Sequence, residues 1–393
     1  MVIVIQSYIG AIKRETLPAL LLDGLAFEEN CRKIAGETNG KHIRIATKSI
    51  RSVELLKKIE SSHPAYNGFM CYSAREALFL ADKGLKNLLI GYPSIEQAAL
   101  KRIASYKENN IICMVDSLDH VHYFEKLAKE SEGLFHLCID VDMSTRFGSF
   151  HFGVRRSPLC TPEQVLEIAK EISESEHLRL AGIMGYEAQI AGVADRAPQQ
   201  FFKNKLVSYL KKKSMLEIAK RRSKIVETLI RTGFDIPLVN GGGTGSISST
   251  CNEEVVTEVT VGSGIFSPLL FDYYQSFRYN PSLYFALPIV RRPTNNIYTC
   301  SGGGYIASGS IGKEKEPQPV HPPNGKLLPL EGAGEVQTPV YYEKSDLQIG
   351  DAILFRAAKA GEICERFNEI LVIKHGKIEE RYRTYRGEGV CFL

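Results

Sequence analysis

Short apolar runs alternate with amphipathic stretches along most of the chain. Eight runs read as strands, at residues 43–48, 68–72, 87–91, 111–116, 135–142, 180–186, 237–241 and 255–262. Helical periodicity fills most of the intervals between them. Ser73-Ala74-Arg75-Glu76 opens one helix with a serine N-cap and a glutamate three residues on. Thr161 before Pro162 opens another, with proline at the first helical position. An opening strand at 19–23 and a helix at 27–38 precede the eight. The N-terminal run Met1-Val2-Ile3-Val4-Ile5-Gln6 is apolar, lacks a basic leader, and reads as a strand rather than a signal peptide. Eight strands separated by helices predict a (β/α)8 TIM barrel over 16–270. A doubly wound open sheet is the alternative. It would put a glycine-rich turn after the first strand, where this chain has Lys48.

Beyond about residue 271 the helical period fades. Short β-like runs follow at 283–290, 297–300, 304–308, 340–343, 351–355 and 370–374. Pro317, Pro319, Pro322 and Pro323 cluster as a loop or flap. The pattern predicts a mainly antiparallel β domain over 271–393, which residues 1–15 join because chain termini often lie close together.

Composition narrows the classes. The 393 residues are 44% hydrophobic and 24% charged, which suits a soluble globular protein with a large core. A net charge of +4 is too small for a nucleic-acid surface. No run approaches the ~20 apolar residues of a membrane helix. Nine scattered cysteines, with no CxxC pair, argue for reduced thiols in a cytoplasmic protein.

The chemistry lies at the strand ends, where barrel enzymes gather their active residues. Lys48 ends the first of the eight strands. Gly241-Gly242-Gly243-Thr244 ends the seventh, and Gly262-Ser263-Gly264 ends the eighth. In a closed barrel the first and eighth strands are neighbours, so the lysine and both turns converge on one mouth. Glycines let backbone N–H groups approach phosphate oxygens, and Thr244 adds a hydroxyl. A strand-end lysine facing two phosphate-binding turns is what a protein needs to hold pyridoxal 5'-phosphate, the lysine supplying the amine. Taken singly, such a lysine is usually solvated and such loops are usually plain turns.

Longer stretches carry a resemblance. Thr16-Leu17-Pro18-Ala19-Leu20-Leu21-Leu22-Asp23 with Asn30, Thr47-Lys48-Ser49, Glu76-Ala77 with Gly84, Gly91-Tyr92-Pro93, Asp140-Val141-Asp142, Gly153-Val154-Arg155-Arg156-Ser157-Pro158 and Gly182-Ile183-Met184-Gly185-Tyr186 follow in register. They resemble the alanine racemase-like, fold-type III pyridoxal phosphate enzymes, within them the D-threonine aldolase and D-serine dehydratase branch, which includes amino acid deaminase/aldolase-like proteins. The resemblance implies that Lys48 forms the internal aldimine and moves the Cα proton on one face. It implies that Arg146, or else Arg155, meets the cofactor's phenolic oxygen, and that Tyr186 lies against its ring. Gln189 falls where a polar side chain would reach substrate. The bland reading of either arginine is a surface ion pair, and of Tyr186 a barrel-core tyrosine.

Departures from the family matter too. Alanine racemases end the eighth strand with an arginine against the pyridine nitrogen; here that position is Thr260. A neutral partner leaves the nitrogen freer to be protonated, which suits lyase chemistry. The branch also carries a His-x-Cys or His-x-Asp pair that binds a divalent metal. Here the similar place reads Glu362-Ile363-Cys364. A carboxylate and a thiolate are zinc ligands in principle, but two ligands of mixed hardness make a poor site. A solvated glutamate beside a buried cysteine is the favoured reading, and no metal is predicted. Glu335 and Gln337 lie in a loop that either faces substrate or is an ordinary turn.

The leading expectation is a pyridoxal phosphate-dependent lyase, an aldolase or a dehydratase/deaminase, acting on a small amino acid of D configuration. An amino acid racemase is the runner-up. It requires a tyrosine from a partner subunit, with Tyr305, Tyr341 and Tyr342 as candidates. A non-catalytic cofactor-binding protein would resemble the barrel alone, so the residues after Phe271 count against it; a degenerate structural barrel is disfavoured by the intact lysine and turns. The resemblance implies a homodimer in which each β domain closes the other chain's barrel.

Overall fold

The computed structural model describes residues 2–106, 111–198, 200–310 and 312–393. Eight parallel strands close into a barrel: His42–Ala46, Tyr66–Cys71, Leu88–Ile90, Ile112–Val115, Phe135–Asp140, Leu178–Gly185, Leu238–Gly241 and Glu258–Val261. They are the eight runs read from the sequence. The last pairs with the first in register, Val259 against Ile43 and Val261 against Ile45. Residues alternate in and out along each strand. Leu89, Met114, Cys138, Met184 and Leu238 fill the barrel as their own cluster. Their sequence neighbours Leu88, Val115, Ile139, Ile183 and Val239 belong to the main core shared with the helices. Both expected caps form: the Ser73 side chain accepts from Glu76 N–H, and Thr161 forms a capping box with Gln164.

A second, nine-stranded sheet is mainly antiparallel. It draws on both ends of the chain. Ala19–Asp23 lies between Leu283–Thr294, antiparallel, and Glu369–Lys374, parallel. Three local expectations change. The N-terminal run is a helix, Val2–Ile12, and not a strand. Tyr8 and Ile12, four residues apart, are both buried against Leu21, Tyr284 and Leu371, and that spacing is helical. Residues 304–308 form a loop, entered through Gly302 and Gly303 at φ of 84° and 119°. The proline cluster contains a strand, Gln318–His321, which pairs with Ala352–Arg356 at the sheet edge, where proline's missing donor is tolerated.

The second sheet is fastened to the barrel beside the first barrel strand. Gly361, at φ 82°, packs so closely there that a Cβ would lie 2.1 Å from the Lys48 carbonyl oxygen. Arg51 bonds the Lys48 carbonyl at 3.0 Å and pairs with Glu365 at 2.7 Å. The C-terminal segment also returns to the barrel. The fully buried Tyr385 donates its hydroxyl to Glu76 at 2.8 Å, and Tyr72 N–H donates to the same carboxyl at 2.7 Å.

Burial pushes Glu76 up to about 7, with its hydrogen bonds and Arg51 opposing. The folded chain therefore keeps a proton that the unfolded chain releases between the ordinary carboxylate value and about 7. Stability falls as pH rises through that window. Glu76→Gln keeps the shape and removes the titration. At about pH 8 it is expected to be more stable than the parent by up to about 3 kcal/mol in urea denaturation followed by circular dichroism. The difference should shrink toward pH 5 or so, and a pH-independent difference would contradict the assignment.

Candidate active site

After Ala46 the first barrel strand turns into a single 3-10 turn, Thr47–Ser49, which lifts Lys48 onto the rim. The Thr47 hydroxyl holds that turn to the Met70 carbonyl at 2.9 Å. Lys48 Nζ donates to the Tyr92 hydroxyl at 2.6 Å and lies 5.3 Å from that ring's centre. Two contacts tie the lysine to the glycine turns. Ser49 Oγ meets Ser263 Oγ at 3.0 Å, and Gly264 N–H donates to Thr244 Oγ1 at 3.0 Å. Lys48 and both turns therefore share one rim.

Each turn runs into a 3-10 turn, Thr244–Ser246 and Ser263–Ile265. The first N–H groups of such a turn have no acceptor within it. Gly242 N–H is taken by Glu187 at 3.1 Å, Gly243 N–H by Ser246 Oγ at 3.1 Å, and Gly264 N–H by Thr244. The N–H groups of Thr244, Gly245 and Ser263 donate to no acceptor among the described residues. Glycine is required around them. A Cβ on Gly243 would lie 2.9 Å from Ala191 Cβ, on Gly245 2.4 Å from the Ala191 carbonyl, and on Gly262 2.7 Å from Ser49 Oγ. The glycines are thus required by close packing on Ala191 and Ser49, and free amides on two adjoining turns fit a phosphate group.

The turn after the seventh strand rests on a buried ion cluster that sequence reasoning missed. Glu187 is 1% exposed and accepts from Gly242 N–H, Ser246 Oγ, Thr250 Oγ1 and Arg222 Nη2. Arg222 is fully buried on the long helix Phe201–Arg231 and also binds Glu253 and the Gly185 carbonyl. Burial opposes its charge, but Glu187 and Glu253 outweigh that and hold the guanidinium above its ordinary value.

The arginine at the mouth is Arg156. Its guanidinium lies 5.7 Å from the Tyr92 ring centre and 5.6 Å from that of Tyr186. Arg146, on a small hairpin opposite His151, is exposed, as are Arg155 and Arg156 itself. Of the three, Arg156 is the one whose guanidinium lies over the rings of Tyr92 and Tyr186. Burial holds the Tyr186 phenol protonated, pushed up to about 12 against the pull of Arg156. Asp140, 8% exposed, is pushed up to about 7 by burial and by Asp116, with Arg156 and the Val141 backbone N–H opposing. Thr260 is buried and shares its hydroxyl with Asn240, whose amide also reaches Glu258. Gln189 is buried, donating to the Met143 carbonyl at 2.6 Å and leaving its own carbonyl unpaired.

The remaining candidates lie on the β domain. The Glu362 carboxylate takes the N–H and hydroxyl of Ser308 at 2.8 and 2.6 Å. Cys364 is fully buried, its thiol pushed up to about 12 by burial. Among the described residues no group of three or more His, Cys, Asp or Glu side chains has the geometry to hold a metal ion. Glu335 is exposed, and Gln337 begins a strand. Tyr305 packs between Phe285 and Phe367, Tyr342 donates to the Pro322 carbonyl, and Tyr341 is exposed. No helix among the described residues is long and apolar enough to cross a membrane.

Comparison with known proteins gives a consistent result. The family model described as alanine racemase, N-terminal domain, matches residues 22–268. A 3-hydroxy-D-aspartate aldolase of Paracoccus denitrificans (strain Pd 1222) is 26% identical over 254 residues, 63% of this chain and 60% of that protein. A second 3-hydroxy-D-aspartate aldolase of Paracoccus denitrificans is 25% identical over 257 residues, again 60% of its length. The matches thus span less than two thirds of these relatives. Among solved structures, D-threonine aldolase from Filomicrobium marinum superposes with a TM-score of 0.81 at 17% identity, covering 96% of both chains. D-threo-3-hydroxyaspartate dehydratase from Delftia sp. HT23 gives 0.72 at 16% identity, covering 95% of this chain and 98% of that one. At these identities the structures show the fold, barrel and β domain together.

Glu187→Gln should expose how far the cradle depends on its ion cluster. It leaves Arg222 with one carboxylate partner inside the protein, so a loss of about 3 kcal/mol is expected in urea denaturation. Removing the opposing charge as well, with Glu187→Gln plus Arg222→Met, should recover part of that loss. If the single variant is as stable as the parent, the cluster does not support the turn.

Proposed function

The chain belongs to the alanine racemase N-terminal domain family, and on that premise we propose that it is a pyridoxal 5'-phosphate-dependent lyase acting on a small β-hydroxy amino acid of D configuration. The observation that carries the reading is the convergence of Lys48 with the unpaired Thr244, Gly245 and Ser263 amides on one rim. When bound, the cofactor supplies an aldehyde that condenses with amines and a ring that accepts electron density from a bond broken at Cα.

The residues divide the remaining work. Lys48 would be the attachment amine and, with its amine free, the base that would hold the Cα proton on its face. Tyr92 receives its hydrogen bond at 2.6 Å and fixes where that nitrogen points. The free amides and the Thr244 hydroxyl hold phosphate without using a side-chain cation. Arg156 is then the barrel-side cation left for an anionic oxygen at the mouth. Thr260 is neutral and occupied by Asn240, so no cation stands where racemases place an arginine. The relatives named for aldol cleavage and the neighbours named for dehydration support lyase chemistry over racemisation. No metal enters the proposal, because Glu362 is bound to Ser308 and the Cys364 thiol is sealed in the core.

Addition of cofactor should give a visible absorption band and a borohydride-stable label. Lys48→Ala should abolish the label while the protein remains folded by circular dichroism. Incubation with D-serine, D-threonine and 3-hydroxy-D-aspartate should release either a 2-oxo acid with ammonia or glycine with an aldehyde. Inversion at Cα without either product set would replace the lyase by a racemase.

A further inference from the structure

The lyase chemistry leaves one proton without a carrier. Loss of a β-hydroxyl as water delivers a proton to the β-oxygen, and aldol cleavage takes one from it. Lys48 serves Cα in either case. The group beside Lys48 is Tyr92, whose phenol oxygen lies 2.6 Å from Lys48 Nζ. Lys48 is the donor in that bond, so the phenol keeps its own hydrogen to give. Other polar groups near the lysine turn are committed elsewhere. The Glu362 carboxylate is held by Ser308, and the Arg51 guanidinium is spent on the Lys48 carbonyl and Glu365.

The chain builds this pair on one support. The third barrel strand, Leu88–Ile90, runs into Gly91, whose N–H donates to the Cys71 carbonyl at 2.9 Å. A Cβ on Gly91 would lie 2.8 Å from Met70 Cγ, so the turn presses against the second strand. Pro93 follows Tyr92 and keeps its backbone out of the helical region. The Thr47 hydroxyl holds the lysine turn to the Met70 carbonyl at 2.9 Å. Lys48 from the first strand and Tyr92 from the third are therefore both fixed to the strand between them, Tyr66–Cys71. Lys48 Nζ and the Arg156 guanidinium lie 5.3 and 5.7 Å from the Tyr92 ring centre. A phenol that hands over its proton carries negative charge on oxygen, and two cations at that range offset it. Tyr92 is only half-buried, which leaves its hydroxyl open to a ligand.

Resting on the lyase reading above, we propose that Tyr92 is a second catalytic residue, which with Lys48 carries one proton between Cα and the β-oxygen of the substrate. Cα and the carbon that bears this oxygen are bonded to each other, and a nitrogen and an oxygen 2.6 Å apart reach both sites at once. In dehydration the Lys48 amine takes the Cα hydrogen as a proton. The electron pair left at Cα ends in the Cα–Cβ double bond as the Cβ–oxygen bond breaks. Tyr92 gives its proton to the departing hydroxyl, which leaves as water, and the Lys48 ammonium returns a proton to the phenol across their hydrogen bond. In aldol cleavage the path runs the other way. With Lys48 neutral, Tyr92 donates to it and takes the β-hydroxyl proton in exchange. The Cα–Cβ bond breaks as the carbon–oxygen double bond forms, and Lys48 delivers the proton to Cα. Both directions balance without a proton from water.

Tyr92→Phe removes the hydroxyl and keeps the ring, and at a half-buried position the variant is expected to fold. Two readouts need no turnover: the cofactor-treated variant should keep the visible band and a stoichiometric borohydride label on Lys48. With whichever of D-serine, D-threonine and 3-hydroxy-D-aspartate the parent consumes, kcat should fall by about a hundredfold or more while KM changes little. β-Chloro-D-alanine is the control, because chloride leaves without a proton; its initial rate of chloride release should stay close to that of the parent. Exchange of the Cα hydrogen of D-alanine in deuterated water, followed by proton NMR, should persist as well, since that substrate has no β-oxygen. No loss on the hydroxy substrate would overturn the relay. So would equal losses on the hydroxy and chloro substrates, which would reduce Tyr92 to a positioning residue for Lys48, and so would loss of the label, which would tie Tyr92 to cofactor attachment instead. Failure of the lyase reading shows elsewhere, in a parent protein that takes no label or forms neither product set.

Discussion

The pairing of Glu258–Val261 with His42–Ala46 is the contact on which the site depends. Only closure makes the first and last strands of a parallel sheet neighbours. Arg44 and Glu258 face each other inside the barrel across that seam, 2.5 Å apart and almost excluded from water. A buried pair of this kind is a poor source of net stability, because both ions lose hydration. It reads register instead. Arg44 also binds the Asn87 carbonyl at 2.6 Å, and Glu258 accepts from Asn240 at 2.7 Å, so one polar network spans the seam and the strands flanking it. A one-residue slip would turn Arg44 and Glu258 toward the apolar helices and carry Lys48 away from Gly262.

The second constraint is electrostatic. An anion cradle built over a buried carboxylate would repel its own ligand. Glu187 avoids this because it shares its charge with Arg222 and commits its lone pairs to Gly242, Ser246 and Thr250. The carboxylate acts as a rigid post under the turn. On the proposed reading, the free amides above it would meet the phosphate through fixed dipoles, which need no reorganisation when a ligand arrives.

Much of this is legible in the chain itself. Short apolar runs mark the eight strands, and counting them puts Lys48 beside Gly262 once the sheet is assumed to close. Residues whose role depends on a turn or a distant helix are not legible in that way. Arg146, Arg155 and Arg156 lie within eleven residues of one another, and only the path of the chain after the small hairpin decides which reaches Tyr92 and Tyr186. Arg222 is 35 positions from Glu187; the only hint is an arginine in line with the buried face of a helix. The N-terminal run has too few polar residues to show its period, so strand and helix are separated only by the packing of Tyr8 and Ile12 on the same sheet.

The mouth is composite, and the division is informative. Lys48, both glycine turns, Arg156 and Tyr186 all fall within 22–268, the stretch the family model matches. Ser308, Glu362 and the Gly361 contact with Lys48 fall beyond it. Cofactor chemistry imposes the same demands on every member of a family, a lysine at one place and amides at another, so those residues sit where family patterns are recognised. Substrate choice imposes no common demand. The β domain is the part of the mouth outside that stretch, and Gly361 fixes its approach through backbone contact with Lys48 itself. On the proposed reading, a change of substrate would fall on the turn around Gly361, with the barrel and its seam left as they are.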